Sequence, residues 1–213
     1  MASATAGSLN EVTNPDHIAQ FAQVIAEAFY NDPLNRWLRL GDESKPDNPK
    51  LQNPQLALDH WLPLVRGRAD NGGVLVQTYD WAAVALWLPP GIQKPPYTTT
   101  HRGILEYRDK FDALKAKTLG DRSYWYLNLI ARSPSRADKG AIRGVIDPFI
   151  EKARQQEVPL WLEAISEHAR DVYAHLGFRV VETVVIGAGA INEQGWVEDG
   201  GSGVKCWGMV ANL

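Results

Sequence analysis

Apolar residues first fall into a regular pattern at Ile18, Phe21, Ile25, Ala28 and Phe29, one face of a helix. Asn14-Pro15 just ahead supplies a cap and a proline at the first helical position. Asn31-Asp32-Pro33 is expected to end this helix, and the polar, proline-containing stretch from Gly41 to Pro54 reads as a loop. Leu56, Trp61, Leu62 and Val65 predict a second helix closing near Gly72-Gly73. Two short runs, Val74 to Tyr79 and Trp81 to Leu88, are rich in β-branched and aromatic residues around a polar turn at Asp80, a hairpin signal that Pro89-Pro90-Gly91 stops.

The pattern is mixed but helical from His101 to Leu119, and Gly120-Asp121 breaks it. Tyr124 to Arg132 then reads as a strand buried on both faces. Lys139 to Glu157 is a helix through Ile142, Val145, Ile146, Phe149, Ile150 and Ala153. Strand Val158 to Ile165, short helix Ser166 to Leu176 and strand Phe178 to Ile186 follow. The alternation predicts an α/β chain with a central mixed sheet and at least one right-handed crossover. Gly187 to Gly203 is expected to be a flexible excursion before a final strand, Val204 to Val210, whose exposed edge offers a partner a place to pair. No internal repeat is visible, and one domain over 1–213 is expected, frayed from Met1 to Asn10.

The 213 residues are 45% apolar and 22% charged, enough for a core without disulfides or a metal. With 22 basic against 25 acidic residues and no dense basic run, nucleic acid is not expected as a partner. The single cysteine, Cys206, fits a reducing compartment and inert packing. No signal peptide and no apolar run of bilayer length are visible, so the expectation is a cytoplasmic protein with no membrane partner. The histidines at 17, 60, 101, 168 and 175 form no metal-binding set, and no metal is expected.

Two segments could carry chemistry. A buried strand leads through Ser133-Pro134-Ser135 into a helix starting near Lys139-Gly140, whose free N–H groups and dipole could hold a diphosphate, with Lys139 and Arg143 on one face. A capped surface helix with solvated basic residues explains the same residues. Further on, Glu163 ends a strand and Tyr173 follows on a short helix. A phenol of pKa ~10 is a fitting acid for a thiolate whose conjugate acid lies near ~8.5. Packing alone accounts for the pair equally simply.

Taken together, Tyr126-Leu-Asn-Leu-Ile-Ala, the Lys139-Gly140-Ala141 helix start, Val158-Pro-Leu-Trp-Leu-Glu163-Ala and Val172-Tyr173-Ala-His-Leu-Gly177-Phe178 resemble the Gcn5-related N-acetyltransferase (GNAT) superfamily. Within it the chain is most similar to the puromycin N-acetyltransferase type and its fungal relatives, a likeness extended by Trp81 to Gly91 and by Cys206-Trp207-Gly208-Met209. The resemblance implies a GNAT fold with a splay between the parallel strands Tyr124 to Arg132 and Val158 to Ile165. It implies acetyl-CoA as co-substrate, its pantetheine arm on the backbone of Ile130, Ala131 and Arg132. The diphosphate would lie on N–H groups around Lys139, Gly140, Ala141 and Ile142, with Arg143 adding charge. Tyr173 matches the acid for the departing thiolate, and Glu163 an acidic position that accepts the amine's proton.

The chain departs from the family's loop, which reads Gln or Arg, two residues, Gly, one residue, then Gly or Ala. Ala137 takes the first place, Ile142 the last, and Asp138 stands where glycine is common. A carboxylate at ~4 Å from a diphosphate charge costs about 1 kcal/mol in water and about 4 near a protein surface. Ala169 replaces a frequent asparagine facing CoA. Eight tryptophans are an excess; among them Trp37, Trp87, Trp125 and Trp161 lie on or beside cleft elements. Tyr30, Trp37, Trp87 and His168 are the expected substrate contacts. They favour an aromatic or largely apolar acceptor over a lysine tail, although core packing explains the tryptophans as well.

Three readings follow. The first is N-acetylation of a small amine, for tailoring or self-protection in secondary metabolism, by a monomer or homodimer. The second is a repurposed fold doing CoA-independent acid/base chemistry (cyclisation, elimination or isomerisation) on an aromatic or polyketide-like molecule, with Glu163, His168 or Tyr173. The third is a binding protein without catalysis.

Overall fold

The computed structural model describes residues 8–94 and 98–213. Most of the expected frayed opening, Met1 to Gly7, lies outside the described residues, while Asn10–Glu11 pairs with the first hairpin strand as β1. Helix α1 spans Pro15–Ala28, with Asn14 accepting from the Asp16 N–H at 2.8 Å. Asn31-Asp32-Pro33 both ends α1 and starts a helix missed in the sequence, α2 (Pro33–Leu40). The Asp32 carboxylate caps the Asn35 N–H at 2.8 Å, and Pro33 occupies the position that needs no donor. Helix α3 runs from Pro54 to Asp70 and α4 from Arg102 to Leu119. The remaining elements are β2 (Val74–Thr78), β3 (Ala83–Leu88), β4 (Trp125–Arg132), α5 (Ala141–Gln155), β5 (Leu160–Ala164), α6 (Glu167–His175), β6 (Arg179–Ile186) and β7 (Val204–Ala211).

Seven strands form one sheet in the order β1-β2-β3-β4-β5-β7-β6. Only β4 and β5 pair in parallel, joined by the α5 crossover. The closing strand is not the exposed edge expected from sequence: β7 lies between β5 and β6, antiparallel to both, and β6 is the edge. Both faces of the sheet are covered. Strand β3 shows how: Val84, Leu86 and Leu88 pack towards α1, α3 and α4, while Ala83, Ala85 and Trp87 pack towards α5. This is why its run Ala-Val-Ala-Leu-Trp-Leu is apolar without alternation. Among the described residues no helix is long and apolar enough to cross a membrane.

The segment from Gly187 to Gly203 is tied down. Arg36 donates to the Gln194 carbonyl at 2.6 Å and stacks on Trp196 at 3.8 Å, and Ser44 Oγ donates to the Gly195 carbonyl at 2.7 Å. Gly195, at φ 76°, sits so close to α2 that a Cβ would lie 2.0 Å from the Pro33 carbonyl oxygen. The excursion thus clamps α2; Gly187, Gly195, Gly201 and Gly203 serve close approach, while Gly189 and Gly200 serve a positive φ in open space.

Candidate active site

A cavity of about 430 Å³ runs from α1, α2 and α3 through the gap between β4 and β5 to α6. The gap has a local cause. Pairing of β4 with β5 stops at Leu127↔Leu162, yet β4 continues to Arg132 beside β3. On the β3 side the register jumps from Leu86↔Leu129 to Trp87↔Leu127, leaving Asn128 as a bulged residue. Packing records the slip: Tyr126 and Leu129, three apart, share one face, and Leu127 and Ile130 share the other. Strand β4 bends away at Asn128, and its β5-facing edge lies open from there to Arg132. Asn128 Oδ1 is buried in the cavity wall with no partner.

Ile130 lines this gap, Ala131 is buried towards α1, and Arg132 is exposed. The helix expected to begin at Lys139 begins at Ala141, after Gly140 in the left-handed region at φ 83°. Lys139, Gly140 and Arg143 are exposed there, and Ile142 is half-buried against the α5 face of the sheet. Asp138 is already neutralised. Arg136 Nε and Nη2 grip its carboxylate at 2.8 and 3.1 Å, holding the Asp138 pKa below the ordinary range. The same guanidinium donates to the Tyr79 and Asp80 carbonyls, both at 2.9 Å. These belong to a turn, Tyr79 to Trp81, whose three residues all have positive φ. Arg136 therefore fixes the hairpin turn beside the head of α5, a role with no signature along the chain.

Glu163, with a side chain 3% exposed, lines the cavity. Trp161 Nε1 donates to its Oε1 at 2.7 Å, and the Tyr126 and Tyr107 hydroxyls donate to Oε2, Tyr107 at 3.4 Å. Lys115 Nζ stands 3.6 Å from Oε1 and 2.8 Å from Asp112. Burial pulls the Lys115 pKa down, but these two carboxylates outweigh it and hold it above the usual lysine value. Tyr173, on α6, also lines the cavity. Burial alone drives its phenol pKa upward, so it stays protonated.

Of the expected substrate contacts, Trp37 and Trp87 belong to the core and not to the cleft. Trp37 is fully buried with its ring edge against Gly103 and Gly187, where a Cβ would come within 2.8 and 2.9 Å. Trp87 is fully buried, stacks on Phe149 at 4.5 Å and donates to the Val145 carbonyl at 3.1 Å. His168 points to the surface outside the cavity lining. Tyr30 is half-buried and spends its hydroxyl on the Leu51 carbonyl; its neighbours Phe29 and Asn31 line the cavity.

The structure adds cavity-lining residues that sequence reasoning missed: His60, Arg68 and Lys94. Lys94 Nζ lies 3.5 Å from the Tyr126 hydroxyl, above its ring. Burial, reinforced by Lys115, pulls its pKa down from 10.5 to about 8. Between those values the unfolded chain holds a proton that the folded chain lacks, so stability should rise with pH across that window. Melting temperatures of the protein and of Lys94→Met between pH 7 and 10.5 check this. The native protein should gain on the variant above pH 8, and parallel curves would refute the assignment.

No protein-family model matches the chain. It is 23% identical over 184 residues to an uncharacterized N-acetyltransferase of Schizosaccharomyces pombe, covering 78% of this chain and 72% of that one. An uncharacterized Saccharomyces cerevisiae protein is 28% identical over 207 residues, 95% of this chain and 86% of its own. Among solved structures, a Corynebacterium glutamicum protein described as histone acetyltransferase HPA2 and related acetyltransferase superposes with a TM-score of 0.56. It is 22% identical, over 95% of this chain and 94% of the other.

Proposed function

We propose that this chain, whose fold is that of acetyltransferases of known structure, is a member of the Gcn5-related N-acetyltransferase superfamily and transfers an acetyl group from acetyl-CoA to the nitrogen of a small-molecule amine. The observation that carries this reading is the opened β4 edge at Asn128, with Tyr173 and Glu163 both lining the cavity that runs through the gap.

The residues present fit the co-substrate. The unpartnered Asn128 Oδ1 and the free edge from Asn128 to Arg132 supply hydrogen-bonding groups for an amide-bearing arm. The N–H groups after Gly140, with Lys139 and Arg143 beside them, suit a diphosphate, and the Arg136 fork removes the like-charge penalty expected from Asp138. Acetyl-CoA supplies the acyl carbon as an activated thioester. Tyr173 Oη gives its proton to the sulfur as the carbon–sulfur bond breaks and the carbon–nitrogen bond forms. Glu163 is the sink for the proton released by the amine. Both its oxygens already accept hydrogen bonds, so it works through the Tyr126 and Tyr107 hydroxyls. A cavity wall of Phe29, Leu38, Trp61 and Leu64 favours an acceptor with an apolar body.

Acetyl-CoA at a hundredfold excess over its dissociation constant should stabilise the protein by ~2.7 kcal/mol. For a domain of this size the melting temperature rises about 5–10 °C. No shift at millimolar acetyl-CoA would end the transferase reading.

A further inference from the structure

The guanidinium of Arg68 is the least expected group in the cavity. It sits in the last turn of α3, 7% exposed, and lines the cavity. Its Nη1 is buried without a partner, and among the described residues no carboxylate forms an ion pair with it. A second cation, Lys94, lines the same cavity. Burial lowers the Lys94 and His60 pKa values first, Lys115 and Arg39 respectively lower them next, and Arg68 adds a smaller repulsion to both. Two carboxylates line the cavity, and both are engaged elsewhere: Glu163 with Trp161, Tyr126, Tyr107 and Lys115, and Asp32 with the Asn35 backbone N–H and side-chain amide at 2.8 and 2.9 Å. A helix end favours a cation weakly, and a surface position would satisfy that preference without burial. A buried cation without a counter-ion is unfavourable unless something else supplies the charge.

We propose that Arg68 is the receptor for an oxyanion carried by the acceptor, so that the substrate is an amine with an apolar body and an acidic group, of the class of apolar amino acids. The guanidinium has donors in a planar fork that matches a carboxylate or a phosphate bidentately. Lys94 stands beside it as a second cation, and Phe29, Leu34, Leu38, Trp61, Leu64 and Ile104 supply apolar walls for the rest of the molecule. Glu163 lines the same cavity, which gives the amine and the acid of one small molecule separate partners.

This inference rests on the transferase reading for its amine, but the anion receptor can be tested without it. First, 3-phenylpropionate, a carboxylate with no amine, is titrated into the protein and into Arg68→Met by calorimetry. Binding to the native protein and its loss in the variant are expected; no binding to the native protein overturns the receptor. Second, CoA release from acetyl-CoA is compared for phenylalanine, phenethylamine and phosphoethanolamine. Phenylalanine should exceed phenethylamine in kcat/KM by roughly tenfold to hundredfold, and Arg68→Met should bring the ratio towards one. A rate for phosphoethanolamine above that for phenylalanine would identify phosphate as the source of the oxyanion and overturn the amino-acid class. Equal or greater activity with phenethylamine overturns the proposal and leaves acyl transfer standing. No CoA release from any amine, with no acetyl-CoA stabilisation, defeats acyl transfer while the calorimetry still decides on Arg68. Should Arg68→Met fail to fold, binding of 3-phenylpropionate to the native protein and the native substrate ratio decide between receptor and bystander.

Discussion

Tyr173→Phe is expected to lower kcat by roughly 10²- to 10⁴-fold, the usual range for loss of a positioned general acid. The KM for acetyl-CoA should stay near its native value. The substitution keeps the ring against Phe178, 6.2 Å away, and removes only the oxygen that would protonate the departing sulfur. Because burial holds the phenol protonated, the native rate should not depend on its deprotonation at neutral pH. Melting temperature is the control, and it should barely move, since among the described residues the hydroxyl makes no hydrogen bond that the fold depends on. Native kcat in the variant would mean that water protonates the thiolate and that Tyr173 only packs.

Trp87→Ala should produce a large loss of stability, about 3–5 kcal/mol, from the lost burial of the aromatic side chain and the cavity left behind. At about 2–4 °C per kcal/mol for a chain of this size, the melting temperature falls on the order of 10 °C. The ring lies between β3 and α5, stacked on Phe149, so its removal loosens the helix whose head is proposed to hold the diphosphate. Trp87→Phe keeps the stack and loses the bond to Val145, about 1 kcal/mol. A variant of native stability with altered acceptor KM would instead place Trp87 in the cleft.

The order of elements from β2 to β7 was legible because each strand or helix carries its own period and stop residue, as Gly120-Asp121 and Gly177 show. Helix α2 was not, because Asp32-Pro33 is at once a plausible terminator and a good start, and eight residues are too few for a clear period. The bulge at Asn128 was hidden for another reason. Strand β4 is apolar on both faces, so a one-residue slip leaves its pattern unchanged, and the single asparagine is its only trace. Glu163 and Tyr173 stood out, one as a charge in an apolar strand and the other by family resemblance. Arg68 and Lys94 did not, since a basic residue on a helix or in a loop reads as solvated until three dimensions show it enclosed. Trp37 shares the same limit: the glycines that make room for it, Gly103 and Gly187, are distant in sequence.

The place of β7 between β5 and β6 governs the order in which this sheet can be completed. Until residues 204–211 have emerged from the ribosome, β5 and β6 both present bare hydrogen-bonding rims to solvent or to a chaperone. The floor that carries Glu163 closes only when Gly208 slides in opposite it, with no side chain of its own beneath Trp161 and Leu114. Assembly of the wall that carries Glu163 thus waits on residues 204–211, and a nascent chain stalled before Val204 should be captured by holdases in an unfinished form.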